Sequence, residues 1–211
     1  MDCSEYIITD AGNKVELLRN SKFGNVLVIG CFHGDEPQGK YLIEKYISIH
    51  PENSLLAIPC LNPDGLANNS RVNRNGVDLN RNFPTKNWVL SKKDNYYGGN
   101  KPASEKETRF LIEIIEKYKP ELILTLHSPY KVVNYDGDAE NIAQKISKII
   151  NYPVEKSIGY PTPGSFGTWA GIERHIPTIT LELDEEVDIK ELEKPVFDIF
   201  ELVTSMQRTS V

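Results

Sequence analysis

The chain has 211 residues, 39% of them hydrophobic and 26% charged, a globular composition with enough apolar material for one packed core. Its formal net charge of -6 argues against a non-specific nucleic-acid binder, which needs a basic surface. No stretch approaches the length of a membrane span, and MDCSEYIITDAGNK lacks the basic segment and apolar run of a secretory signal, so a cytoplasmic location without membrane attachment is expected.

The first clear element is NVLVIGCF, residues 25–32, a Val- and Ile-rich run suited to a buried strand. HGDE follows at His33 to Glu36. Pro37 then stands where a first helical position belongs, with Asp35 or Glu36 as candidate cap. Residues 40–49, KYLIEKYISI, read as an amphipathic helix closed by Pro51. SLLAIPCLN, residues 54–62, is a second buried strand, and NPDG from Asn62 to Gly65 is a turn signal. Residues 67–99 are polar and irregular, too long for a plain connection, which favours a functional loop.

Ser104 and Glu107 have capping-box spacing ahead of a helix ending near Tyr118, before Pro120. ELILTLH at 121–127 is a third buried strand. AENIAQKISKII at 139–150 is another amphipathic helix, PTITLEL at 177–183 a strand, and residues 188–206 a final helix interrupted near Pro195. Strands alternating with helices predict α/β architecture around a largely parallel or mixed sheet. His33, Asn62 and His127 all fall near C-terminal strand ends, where open α/β sheets bind ligands.

His33 and Glu36, separated by two residues at a strand-to-helix turn, can aim at one point. Zinc accepts imidazole nitrogen and carboxylate oxygen, and a catalytic site uses three protein ligands. His127 is the natural third. His50 beside Pro51 looks exposed, and His175 lies in a polar ERHIP turn. Cys31, inside the apolar run, is a core residue rather than a nucleophile paired with His33. With Cys3 and Cys60 it forms no CxxC pair, and the three are read as reduced thiols.

The phrase GVDLNRNFP, from Gly76 to Pro84, supplies a carboxylate clamp: Arg81 offers a planar fork and Asn80 adds amide donors. Arg71 or Arg74, just upstream in SRVNRNG, is suited to stabilise a developing oxyanion.

These motifs, in this order, resemble the M14 family of zinc carboxypeptidases. The resemblance runs from about Asn25 to Glu182 and rests on HGDE, NPDG, R-x-N-x-NGVDLNRNFP, YYGGNKPASEKET, LTLHS and TLEL. It implies a single domain over residues 1–211, a three-layer sandwich with a mixed, mostly parallel sheet and helices on both faces. It implies one zinc ion on His33, Glu36 and His127, with Glu182 as general base and then general acid. Arg71 would hold the oxyanion, Asn80 and Arg81 the substrate's terminal carboxylate, and Asp78 would orient His33. Tyr160, in the Pro- and Gly-rich GYPTPGSFG, corresponds to the family's mobile capping tyrosine; Tyr130 and Tyr135 are alternatives.

The short chain and its YPTPGSFGTW segment are similar to the murein peptide amidase subgroup, which implies a small peptide substrate with a free carboxylate and cleavage of the γ-D-glutamyl–meso-diaminopimelate bond in the cytoplasm. Phe166, Gly167 and Thr168, after Tyr160, carry no charge, so a charged substrate side chain needs a partner elsewhere. A deacylase of the aspartoacylase and succinylglutamate desuccinylase type shares the zinc set, but the full GVDLNRNFP phrase favours a peptidase. A zinc-bearing binding module has no need of Glu182.

Overall fold

The computed structural model describes residues 2–20, 24–156 and 162–206. Its elements in chain order are strands β1 (Asp2–Ile8), β2 (Lys14–Arg19) and β3 (Val26–Gly30), helix α1 (Gln38–Ile49), β4 (Leu56–Ile58), the short α2 (Pro63–Ala67), α3 (Lys106–Tyr118), β5 (Leu122–His127), β6 (Val132–Asp136), α4 (Glu140–Ile150), β7 (Val154–Glu155), β8 (Thr178–Glu182) and α5 (Ile189–Ser205). The strands form one sheet in the order β1-β2-β4-β3-β5-β8-β6-β7. Its centre, β4-β3-β5-β8, is parallel; β1-β2-β4 and the β8-β6 pair are antiparallel. None of the described helices is long and apolar enough to cross a membrane.

β3 and β5 are buried along their whole length, as their unbroken apolar runs require, because both sheet faces are covered. One face carries Val26, Val28, Leu124, Leu126, Val133, Tyr135 and Leu181 against α1, α4 and α5. The opposite face carries Leu27, Ile29 and Ile123 against α3, Phe83, Phe166 and Trp169. From β3 the chain returns to the sheet on one side at β4 and then crosses to the other side at β5. The sheet therefore has its topological switch point between β3 and β5, where a crevice opens beyond the strand ends.

Several local expectations need correction. No strand is expected before Asn25, yet β1 and β2 pair as an antiparallel ribbon, with Val15 and Leu17 turned inward on β2. Their apolar alternation is only two residues deep, too short to stand out. β6 and β7 are also unexpected. NPDG is a helix start rather than a plain turn: Asn62 caps α2, its Oδ1 accepting from the Gly65 N–H at 2.9 Å. The Ser104–Glu107 capping box does not form, because Glu105 occupies the cap position without a side-chain cap bond, while Ser104 Oγ donates to Glu105 at 2.6 Å. Neither Asp35 nor Glu36 caps α1; the cap residue is Pro37. α5 runs unbroken through Pro195. An interior proline costs about 3 kcal/mol. Burial of Leu192, Val196, Ile199, Phe200 and Val203, each contributing roughly 1.5–3 kcal/mol, outweighs that cost.

Candidate metal centre and active-site cleft

The sheet face bearing Leu27 and Ile123 turns polar at its C-terminal edge. On β5 and β8 the register sets Thr125 beside Thr180 and His127 beside Glu182. On β6, Asn134 lies opposite Thr180 and Asp136 opposite Thr178. Side chains two residues apart share a face, so the inward alternation that builds a core lower down here lines a cavity. The cavity has a volume of about 410 Å3 and includes His33, Glu36, Arg71, Asn80, Arg81, His127 and Glu182 in its walls.

His33, Glu36 and His127 converge, with one ligand atom from each lying within 4.8 Å of the others. Glu36 bridges the two rings: its Oε1 is 2.7 Å from His33 Nδ1 and its Oε2 is 2.9 Å from His127 Nδ1. Two imidazole nitrogens and one carboxylate at such range form a donor set that suits zinc. His33 stays on its turn because Gly34 touches the start of α2: a Cβ at Gly34 would lie 1.9 Å from the Gly65 carbonyl carbon. His127 sits at the end of β5, stacked on Phe32 with ring centroids 5.4 Å apart.

The far nitrogen of His33, Nε2, faces Asp78 Oδ1 at 3.2 Å. Asp78 is fully buried. Its Oδ1 also accepts from the Asn80 N–H at 2.8 Å, and its Oδ2 takes Arg71 Nε at 3.0 Å and Nη2 at 2.9 Å. Asp78 therefore orients His33 and caps the 3-10 turn Leu79–Arg81 at once. Burial opposes charge on His33, but Asp78 and Glu36 outweigh it and hold its pKa up to about 9. Burial likewise works against ionised Glu36 and Asp78; the surrounding histidines, and for Asp78 the two arginines, keep both carboxyls well below their ordinary range.

Arg71, not Arg74, enters the cavity; Arg74 is exposed. With Nε and Nη2 bound to Asp78, its Nη1 lies 3.8 Å from Glu36 Oε1. Asn80 presents its Oδ1 to the Phe166 N–H at 2.9 Å, which leaves its amide donors for the cavity. Arg81 is buried, donates to the Asn80 carbonyl at 2.7 Å, and forms no ion pair among the described residues. Glu182 is buried with Oε2 lacking a hydrogen-bond partner. Burial pushes its pKa up, aided by Glu36 and opposed by His127.

Tyr160 lies outside the described residues. Of the alternatives, Tyr130 lines the cavity, whereas Tyr135 faces the opposite, helix-covered side of the sheet. His50 and His175 are exposed and away from the cavity. Cys31 is fully buried; contact with the Cys60 thiol, then burial, raises its pKa far from the reactive range, and both cysteines are free thiols.

Three contributors escape the sequence reading. Tyr96 lies over Arg71 and Arg81, at 5.0 and 5.9 Å. Asn73 holds the loop between Arg71 and Asp78: its Oδ1 accepts from the Asn75 and Val77 N–H groups, and its Nδ2 donates to Glu105 and Glu107. Asp136 reaches the cavity from β6. The N-x-N-G spacing could have flagged Asn73 as a turn-holding amide; nothing local distinguishes Tyr96 or Asp136.

Comparison with known proteins identifies the family and agrees with the fold. Residues 8–171 match the zinc carboxypeptidase family, Peptidase_M14. Murein peptide amidase A of Escherichia coli (strain K12) is 32% identical over 194 residues, covering 84% of this chain and 78% of that protein. Its namesake in Vibrio campbellii is 34% identical over 171 residues, covering 74% and 68%. The crystal structure of murein-tripeptide amidase MpaA from Escherichia coli O157 superposes with a TM-score of 0.82 at 27% identity, over 93% of this chain and 89% of that one. This protein belongs to the M14 zinc carboxypeptidase family of hydrolytic enzymes, close to the murein peptide amidases.

Proposed function

We propose that the protein is a zinc metallocarboxypeptidase that cleaves the C-terminal amide bond of a small peptide, with the γ-D-glutamyl–meso-diaminopimelate bond of a murein tripeptide as its target in cytoplasmic peptidoglycan recycling. The observation that carries this reading is the orphan oxygen of Glu182, a buried carboxylate register-paired with His127 in the cavity that also holds the free donors of Asn80 and Arg81. A pure binding module has no use for an unpartnered carboxylate beside a metal-ligand cluster. The names of the murein peptide amidase relatives support the substrate class.

His33 and His127 through Nδ1, and Glu36 through its carboxylate, would hold the ion. When bound, zinc supplies Lewis acidity toward the scissile carbonyl and toward water. Arg81 and Asn80 hold the terminal carboxylate and so fix which bond is presented. Glu182 takes the water's proton and passes it to the leaving amine. Its raised pKa suits a group that carries a proton between steps. Arg71 points Nη1 toward the cluster and is the donor for the developing oxyanion, its other nitrogens being committed to Asp78.

The test sets zinc-loaded protein against murein tripeptide, N-acyl amino acids and ordinary C-terminal peptides side by side. The tripeptide should be cleaved best, and Glu182→Gln should keep zinc while losing about 10²–10⁴-fold in turnover. Preference for acyl amino acids would move the protein to the deacylases, and full turnover by the Gln variant would remove Glu182 from the reaction.

A further inference from the structure

Arg71, Asp78, Asn80 and Arg81 keep their places on a segment, residues 71–81, whose one regular piece is the 3-10 turn Leu79–Arg81. A loop without a helix or sheet ladder must have its polar groups met by side chains. Two buried asparagines bracket it: Asn73, two residues after Arg71, and Asn82, directly after Arg81. Both lead to the same residue, Glu105.

Glu105 occupies the cap position of α3, yet its side chain makes no cap bond to that helix. Glutamate is not among the residues that cap well, and here its carboxylate serves the loop instead. It is buried. Oε2 accepts from Asn73 Nδ2 and from Asn75 Nδ2, both at 2.9 Å, and Oε1 accepts from Ser104 Oγ at 2.6 Å. The cations on the same turn are used elsewhere: Lys106 pairs with Asp10, and Arg109 donates to the carbonyls of Ala103 and Ser104. The groups that meet the carboxylate are neutral donors, so the position calls for a side chain with acceptors alone.

The main chain at Glu105 takes the other end of the loop. The Glu105 N–H donates to Asn82 Oδ1 at 3.2 Å, the Ala103 N–H donates to the Asn82 carbonyl at 2.6 Å, and Asn82 Nδ2 donates to Ser104 Oγ at 2.9 Å. The junction is closely packed. A Cβ at Gly99, where φ is +87°, would lie 2.4 Å from Ser104 Oγ and 2.6 Å from Asn82 Nδ2. α3 is itself seated in the core by Phe110, Leu111, Ile114 and Ile115. One helix end therefore holds the loop on both sides of the clamp, and a buried polar network satisfied in this way is rigid.

We infer that Glu105 is a positioning residue for the reaction: it sets the carboxylate clamp of Asn80 and Arg81, and Arg71 with it, by tying both ends of their loop to the start of α3. This rests on the carboxypeptidase reading above and adds what holds its clamp in register. Glu105 touches neither the substrate nor the ligand cluster. Its removal acts through geometry, where a displacement of about 1 Å can cost about a hundredfold in rate.

The experiment uses the zinc-loaded full chain with murein tripeptide and with the same peptide whose carboxylate beside the scissile amide is converted to a carboxamide. Wild type should favour the acid about tenfold to a hundredfold in kcat/KM, because a charge-assisted pair with Arg81 is lost in the amide. Glu105→Ala should lower that preference at least about fivefold, chiefly by raising KM for the acid. Glu105→Gln can turn its oxygen to Asn73 and Asn75 and its nitrogen to the second lone pair of Ser104 Oγ, so it should restore the preference to within about twofold of wild type. Equal losses on acid and amide, or a Gln variant no better than Ala, would make Glu105 a general structural support and overturn the inference. If Glu105→Ala does not fold, Ser104→Ala removes only the hydroxyl between Asn82 and Glu105 and should lower the preference about threefold, and an unchanged preference overturns the inference. If wild type cleaves neither peptide, the carboxypeptidase reading fails. Calorimetric titration with the same two peptides then reads the clamp directly, and an acid preference lost in Glu105→Ala retains Glu105 as its support. A wild type indifferent to the carboxylate in both assays overturns clamp and inference together.

Discussion

Replacing Asp136 by Asn should make the protein more stable at neutral pH, and the size follows from its surroundings. An ordinary aspartate titrates at 3.8, and burial takes this one to about 6. At about 1.4 kcal/mol per pH unit, holding it ionised in the fold costs about 3 kcal/mol at most, and roughly 1–2 kcal/mol once solvent at the cavity mouth is allowed for. Between pH 3.8 and 6 the native state binds more protons here than the unfolded chain, so this group's effect is to lower stability as pH rises. Above about pH 6 the penalty is complete and constant. Urea unfolding of wild type and Asp136→Asn from pH 4 to 8 checks this. The two curves should nearly meet at pH 4, diverge up to about pH 6 and then run parallel, with Asn higher. A constant gap across the range, or a less stable variant at pH 7, would show that the carboxylate has a partner in the folded protein and refute the reasoning.

Asp78→Asn removes the anion that orients His33 and anchors Arg71, and should weaken zinc binding about ten- to a hundredfold in competition with a chelator; unchanged affinity would separate Asp78 from the metal centre. Gly34→Ala forces apart two stretches of backbone, because its Cβ would lie 1.9 Å from the Gly65 carbonyl carbon, and should cost about 3 kcal/mol or more along with zinc retention. Gly76→Ala is the control. Its φ is +73° but nothing lies within 4 Å of the added Cβ, so chemical denaturation should show a loss of only about 1–2 kcal/mol.

Much of the site was legible because its residues sit beside strong local signals. His33 and His127 follow or end apolar runs that can only be buried strands, and Asp78, Asn80 and Arg81 sit in one short phrase that folds as a capped turn. What was not legible depends on pairing between distant segments. β1 and β2 gain their burial from the sheet they join, not from their own composition. Asp136 is unremarkable in VVNYDGD until β6 is laid antiparallel to β8, which turns Asn134 and Asp136 to the cavity and Val133 and Tyr135 to the opposite face. The same register explains why Tyr135 does not serve as a capping tyrosine. Asn73 likewise acquires its role only when α3 brings Glu105 and Glu107 beneath the loop.

One buried carboxylate, Asp78, is shared by a ligand histidine, the arginine nearest the ligand cluster and the turn that presents the clamp. Damage at that point cannot be confined to one of the three. On the roles proposed above, a copy of this protein with a faulty Asp78 would lose the orientation of His33, the anchor of Arg71 and the cap of the Leu79–Arg81 turn together, and so would fall silent instead of becoming an indiscriminate hydrolase. For a hydrolytic enzyme, a failure that switches activity off is a safeguard carried by a single side chain.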